Sequence, residues 1–273
     1  MRDVNRRDEV SAVAGARAAP AAAMTDLLRI REVSKSFPDG DGKVIVFERA
    51  SLEIGAGAQV GVYGKRRSGK STLMRIAAGI ERPDEGSVFF DGTELTGMSG
   101  TERARLLRSR LAYVSVADWR PNPGESIVQH LAVSLGGDGL TVRQAERRAL
   151  HELDVAGVGV TRAHSPAGRL SMVDRTRVMF ARALARDPSL VVIDDPVLTS
   201  NTNERDDLYL LLRTVARERG AGLLVASDDL PALQGFDVFM SISAREICSS
   251  EPSALIVPFP TLPRLGPVCD TGS

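Results

Sequence analysis

Residues 61–72 read GVYGKRRSGKST. Gly64 through Ser71 fit the spacing Gly, four residues, Gly-Lys-Ser, a phosphate-binding loop when a strand precedes it and a helix follows. Both flanks have that character. AQVGVYG (58–64) reads as a buried strand. Beyond Lys70, the apolar residues Leu73, Ile76, Ala77 and Ile80 recur at the spacing of one helix face. Loop amides and the positive end of such a helix cradle phosphates. Lys70 then pairs with the outer phosphates, and the Ser71 hydroxyl ligates Mg²⁺. One feature is atypical: Lys65, Arg66 and Arg67 fill the loop where small residues are usual. Arg67 is expected to need a backbone dihedral that glycine adopts cheaply. The added charge favours phosphate and the added bulk opposes it.

Working outward, strand and helix signals alternate. LLRIREV (27–33), VIVF (44–47) and ASLEI (50–54) read as strands, with a turn at PDGDG. GSVFFDG (86–92) and LAYVSV (111–116) are further strands, separated by the charged helix TERARLLRSR. The stretch 120–187 is mainly helical, and Thr141 with Gln144 forms a capping box. LVVID (190–194) is almost purely apolar, as a central parallel strand should be. Leu208, Leu211, Leu212 and Val215 mark another helix, and GLLVAS (222–227) and VFMSI (238–242) two more strands. The alternation predicts an α/β fold with a mainly parallel sheet and an inserted helical lobe over about 117–187.

The 273 residues suit one large domain or two closely packed lobes. Net charge is +0, against a dedicated nucleic-acid surface, which shows as an excess of Lys and Arg. Cys248 and Cys269 are the only cysteines, too few for a disulfide framework or a zinc site, and point to a reducing compartment. No apolar run approaches the roughly 18 residues of a membrane span. Residues 1–25 lack a signal peptide's apolar core and read as a disordered extension. The Pro-rich stretch 249–273 reads as a tail, loose or docked through ALIVPF. The domain proper is expected over 26–248.

Three longer stretches carry a family resemblance. LSMVDRTRVMFARALARDPSLVVIDDP resembles the signature-to-Walker-B region of ATP-binding cassette (ABC) ATPases, the motor subunits of ABC transporters. GKSTLMRIAAGIERPDEGSVFFDGTEL resembles their Walker A helix and the strand beyond it. ERARLLRSRLAYV resembles the approach to their Q-loop, most closely in the lipoprotein-release and macrolide-exporter branch. The likeness covers about 26–247. It implies a P-loop NTPase core with an N-terminal antiparallel β-subdomain and an inserted helical subdomain. It also implies ATP and Mg²⁺ as cofactors. The partners implied are a transmembrane permease and a second cassette, as homodimer or heterodimer. The location implied is the cytoplasmic face of the inner or plasma membrane.

The resemblance assigns roles where residues match. Phe37 stands where an aromatic ring stacks on adenine, and is otherwise an ordinary strand-end core aromatic. Gly64, Ser68, Gly69, Lys70, Ser71 and Thr72 match the nucleotide-binding loop. Ser71 and Asp194 match the metal-holding pair. Ser171 keeps the serine of the signature.

Around these, the residues of turnover depart from the family. A glutamate that polarises the attacking water is replaced by Asp195, one methylene shorter; a base displaced by about 1 Å can cost ~10²-fold in rate. Asp228 fills the place of the switch histidine. His130, His151 and His164 all lie upstream and read as surface or helix residues of the lobe. Val116 stands where the Q-loop glutamine belongs, and nearby Trp119 packs either in the lobe or against a partner. The signature Leu-Ser-Gly-Gly-Gln becomes Leu170, Ser171, Met172, Val173 and Asp174, and the D-loop pair becomes Ser200 and Asn201. The expectation is an ATP-binding subunit whose hydrolysis is weak or lost. Two alternatives stay open: a working transport ATPase with atypical residues, and a scaffold that no longer binds nucleotide. A small-molecule kinase leaves RVMFARALARDPSLVVID unexplained.

Overall fold

The computed structural model describes residues 26–40, 42–108, 110–122, 124–137, 139–196, 201–244 and 254–258. Residues 1–25, Ser200, Cys248, Cys269 and the expected tail apart from 254–258 lie outside them.

The chain opens with β1 (Asp26–Asp39) and β2 (Gly42–Gly55), an antiparallel pair with Phe37 opposite Val44. Two strands expected over 44–54 are one here. Register shifts on β1 and a left-handed Arg49 (φ 50) absorb the break at ERA, as a bulge does, without ending the ladder. Then come β3 (Gln59–Gly64), the loop, and α1 (Lys70–Ala77). β4 (Glu85–Phe90) returns antiparallel to β1, and β5 (Thr93–Glu94) closes that edge. α2 (Gly100–Arg108) leads to β6 (Leu111–Ser115).

The lobe contains α3 (Ile127–Leu135), α4 (Val142–Val155), the short α5 (Val160–Ala163) and α6 (Met172–Leu184). Thr141 and Gln144 make the expected capping box, and Ser126 with Gln129 makes a second at α3. Trp119 is buried in the lobe core, edge-on to His130 at 4.8 Å. β7 (Leu190–Asp194), α7 (Thr202–Glu218), β8 (Gly222–Ser227) and β9 (Val238–Ala244) follow. β10 (Ala254–Pro258), the ALIVP segment, pairs antiparallel with β9 at the sheet edge.

Two sheets result: β2-β1-β4-β5, antiparallel, and β10-β9-β3-β8-β7-β6, parallel apart from β10. The apolar run 190–194 serves two cores at once. Val191 and Ile193 face the lobe and α7, whereas Leu190 and Val192 face α1 and the antiparallel sheet. Leu223 and Val225 of β8 divide from Leu224 and Ala226 in the same way. Period two explains why neither strand shows polar alternation: both faces are covered. Among the described residues no helix is long and apolar enough to cross a membrane.

Candidate functional site

The site forms where the carboxyl ends of β3, β8 and β7 meet the start of α1, the usual place for a ligand on an open parallel sheet. Gly64 ends β3 because nothing larger fits. A Cβ there would lie 2.5 Å from Ser68 Oγ and 3.0 Å from the Ile242 carbonyl oxygen. Gly69, at φ 93, is the N-cap of α1, and a Cβ there would lie 2.6 Å from Val46 Cγ1. Between them Arg67 takes the left-handed conformation, φ 64, as its place in the loop led us to expect. Lys65, Arg66 and Arg67 are all exposed, so their bulk does not fill the loop.

The first intrahelical bond is made by Leu73 N–H to the Gly69 carbonyl, at 2.9 Å. The amides of Lys70, Ser71 and Thr72 come before it, the group a helix leaves without internal partners. Lys70 is buried, and its ammonium donates to the carbonyl oxygens of Gly64 (2.6 Å) and Lys65 (3.1 Å). Ser68 Oγ is buried with no hydrogen-bond partner. A closed loop of amides, a buried ammonium and an orphaned hydroxyl fit an anion with several oxygens.

Asp194 completes the constellation through sheet alternation. It falls two residues after Val192, on the α1 face, at the end of β7. Ser71 Oγ donates to its Oδ1 at 3.1 Å, and Tyr113 Oη to its Oδ2 at 3.2 Å. Burial, then the charge of Asp194, pushes the Tyr113 phenol up to about 12, so it stays protonated and acts as a donor. An acceptor carboxylate beside a serine hydroxyl is a hard-oxygen set of the kind Mg²⁺ takes alongside phosphate oxygens.

Asp195 lies beyond, in the left-handed region at φ 50, its amide bonded to the Ala226 carbonyl at 3.1 Å. Its Oδ1 is buried without a partner. Burial raises its pKa above the ordinary carboxylate value, and the charges of Asp228 and Asp194 add to the rise; Lys70 and Arg66 oppose it. Asp228 follows β8, whereas neighbouring Asp229 is ion-paired to Arg205.

The other expected residues are dispersed. Phe37 sits on the β1–β2 hairpin, 39% exposed and 5.3 Å from the Lys35 ammonium. That exposure removes the core-aromatic alternative and leaves a ring open to stacking. Val116 is buried in a 3₁₀ turn. His130 and His151 lie in α3 and α4, and His164 caps the C-terminus of α5. Ser171 is the N-cap of α6: its Oγ accepts the Asp174 amide at 3.1 Å and donates to Asp174 Oδ2 at 2.5 Å, while Arg162 pairs with the same carboxylate. Asn201 caps α7, accepting from the amides of Asn203 and Glu204. Tyr113 was not singled out from the sequence. Its signal is faint: it stands two residues before Ser115, on the face that also carries Asp194 across the β6–β7 register.

A parallel sheet, a glycine-lysine-serine loop at its carboxyl edge, an antiparallel β-subdomain and a helical insertion together define an ATP-binding-cassette fold. The sequence comparisons agree. Residues 47–198 match the family described as "ABC transporter". The chain is 32% identical to the lipoprotein-releasing system ATP-binding protein LolD of Granulibacter bethesdensis, over 76% of this chain and 90% of that one. It is 29% identical to LolD of Hyphomonas neptunium, over 80% of this chain and 95% of that one. The dimeric structure of MJ0796, a bacterial ABC transporter cassette, superposes with a TM-score of 0.72 at 22% identity, covering 78% of this chain and 93% of the other. The chain belongs to the ABC transporter family.

Proposed function

We propose that this chain is the ATP-binding subunit of an ABC transporter of the lipoprotein-release kind, holding Mg-ATP with hydrolysis weak or lost. The observation that supports it most is a contrast within one site. Lys70, Ser71 and Asp194 are assembled and bonded. The groups at the places of turnover are a shorter, desolvated carboxylate, an aspartate and a buried valine.

In this reading Phe37 stacks on the base. The amides from Gly64 to Thr72, the Ser68 hydroxyl and Lys70 hold the phosphates. Ser71 and Asp194 hold Mg²⁺. Bound Mg-ATP supplies the phosphoanhydride bond whose cleavage by water drives transport in this family. The protein's own part in cleavage is to orient and deprotonate that water, and here it is poorly served. Asp195 is the carboxylate that stands where such a base belongs. Burial and the charges of Asp228 and Asp194 raise its pKa, but its side chain is one methylene shorter than the family's glutamate and does not reach as far toward that water.

The domain spans about 26–248, with the lobe at about 117–187 and flanking segments 1–25 and 249–273. It docks on a permease at the cytoplasmic face of the membrane and pairs with itself or with another cassette. The deciding experiment measures Mg-ATP binding and phosphate release on one preparation. Binding with little release is expected. Binding with fast release establishes a working ATPase, and no binding leaves a scaffold.

A further inference from the structure

We propose that Tyr113 is a positioning residue that holds the Asp194 carboxylate for Mg²⁺. This rests on the reading that Ser71 and Asp194 receive the metal.

The geometry starts from the sheet. β6 and β7 run parallel, with Tyr113 opposite Val192 and Ser115 opposite Asp194. Tyr113 is therefore one step short of the aspartate, on the same face, and a phenol is long enough to cover that diagonal. Its ring packs against the core beneath α1, and its hydroxyl donates to Asp194 Oδ2 at 3.2 Å. The other oxygen, Oδ1, is engaged by Ser71 at 3.1 Å.

These two bonds hold the two oxygens of one carboxylate. A serine hydroxyl has one donor and two lone pairs, so Ser71 can ligate Mg²⁺ through a lone pair and still donate to Oδ1. The Tyr113 phenol donates to Oδ2 from β6. Held at Oδ1 from α1 and at Oδ2 from β6, the carboxylate keeps one rotamer, and Tyr113 supplies the part of that hold that lies outside the nucleotide loop. Arg75, one turn after Ser71 on α1, reinforces the arrangement: its guanidinium interacts with the Tyr113 phenol and feels the charge of Asp194. A ligand held by a fixed neighbour loses less freedom on binding, which is how residues behind the ligands of a metal site commonly raise affinity.

The test is Tyr113→Phe, which removes one oxygen and keeps the ring. ATP binding is titrated calorimetrically in EDTA and over a Mg²⁺ series. The expected result is an unchanged affinity for metal-free ATP and a Mg²⁺ half-saturation raised about ten-fold. In an Asp194→Asn background, Tyr113→Phe is expected to add nothing, since its effect runs through that carboxylate. An unchanged Mg²⁺ requirement overturns the inference, as does an equal loss with and without metal, or a full effect in the Asp194→Asn background. If Tyr113→Phe fails to fold, Arg75→Gln on the exposed side of α1 replaces it; a raised Mg²⁺ requirement supports the inference and an unchanged one overturns it. A wild-type protein that binds no ATP at all removes the underlying reading instead, and the two failures are told apart by that control.

Discussion

Ser71 on the first turn of α1 and Asp194 at the end of β7 are 123 positions apart in the chain and 3.1 Å apart in space, joined by a hydrogen bond. β8 lies between their strands in the sheet, so the contact exists because α1 crosses that strand to lie over β7. That crossing brings the nucleotide loop to the carboxyl end of β7, with Lys70 folded onto the loop's own carbonyls.

Lys70→Ala is the direct probe of that loop. The ammonium is buried and makes two bonds to backbone, so its loss loosens the loop and removes the charge facing the phosphates. A hydrogen bond to a charged group contributes about 1.5–3 kcal/mol, or roughly 10–100-fold in affinity. Calorimetric titration with Mg-ATP is expected to show a loss of that size. An unchanged affinity would place the nucleotide elsewhere.

Gly64→Ala tests the cradle sterically. The new methyl meets Ser68 Oγ at 2.5 Å and the Ile242 carbonyl at 3.0 Å, and the carbonyl belongs to a strand that cannot move alone. Overpacking of this kind costs about 1–3 kcal/mol. A fall in melting temperature of about 2–10 °C is expected, together with loss of the stabilisation that Mg-ATP gives.

Much of this was legible in the residues. The Gly64–Ser71 spacing, the apolar 190–194 run and the Thr141 capping box each follow from local chemistry, and each stands where the spacing put it. The Tyr113–Asp194 bond was not, because it depends on which strand lies beside β7 and in what register, and no local pattern carries that. The join of 44–47 with 50–54 was missed for a related reason: a bulge hides inside a polar break. Self-capping of Ser171 by Asp174 has a readable signal, an acid three residues after a serine at a helix start, which the resemblance to a ligand-binding signature obscured.

Asp195→Asn should separate the folding role of this carboxylate from its catalytic one. Burial and Asp228 raise its pKa in the folded protein above the unfolded value. As pH rises from about 4, the unfolded chain loses this proton first. The folded state then binds more protons than the unfolded one, and stability falls until the raised pKa is passed. The amide carries no such penalty, and asparagine also tolerates the φ of 50 at this position. Thermal melts at pH 4 and pH 7.5 are expected to show a stabilisation by Asp195→Asn that is larger at the higher pH. Steady-state phosphate release is expected to change little; a large loss would identify Asp195 as a working base.

Asp174→Gln asks whether the signature segment is closed by its own side chain. The Ser171 hydroxyl donates to the Asp174 carboxylate, which sits at the positive end of α6 where a phosphate oxygen would otherwise be favoured. A phosphate presented there by a second subunit meets like charge, and like-charge juxtaposition across an interface costs several kcal/mol. The glutamine variant keeps the backbone amide that bonds Ser171 Oγ, so the cap survives. It removes the charge and leaves Arg162, half exposed, available to an incoming anion. Arg162 is the solvated end of that pair, so loss of the pair costs about 1 kcal/mol. Light scattering with saturating Mg-ATP is expected to show self-association of Asp174→Gln at protein concentrations at least ~10-fold lower than for the unaltered chain. Equal association of the two proteins would mean that Met172 and Val173, by bulk rather than charge, set the limit at this surface.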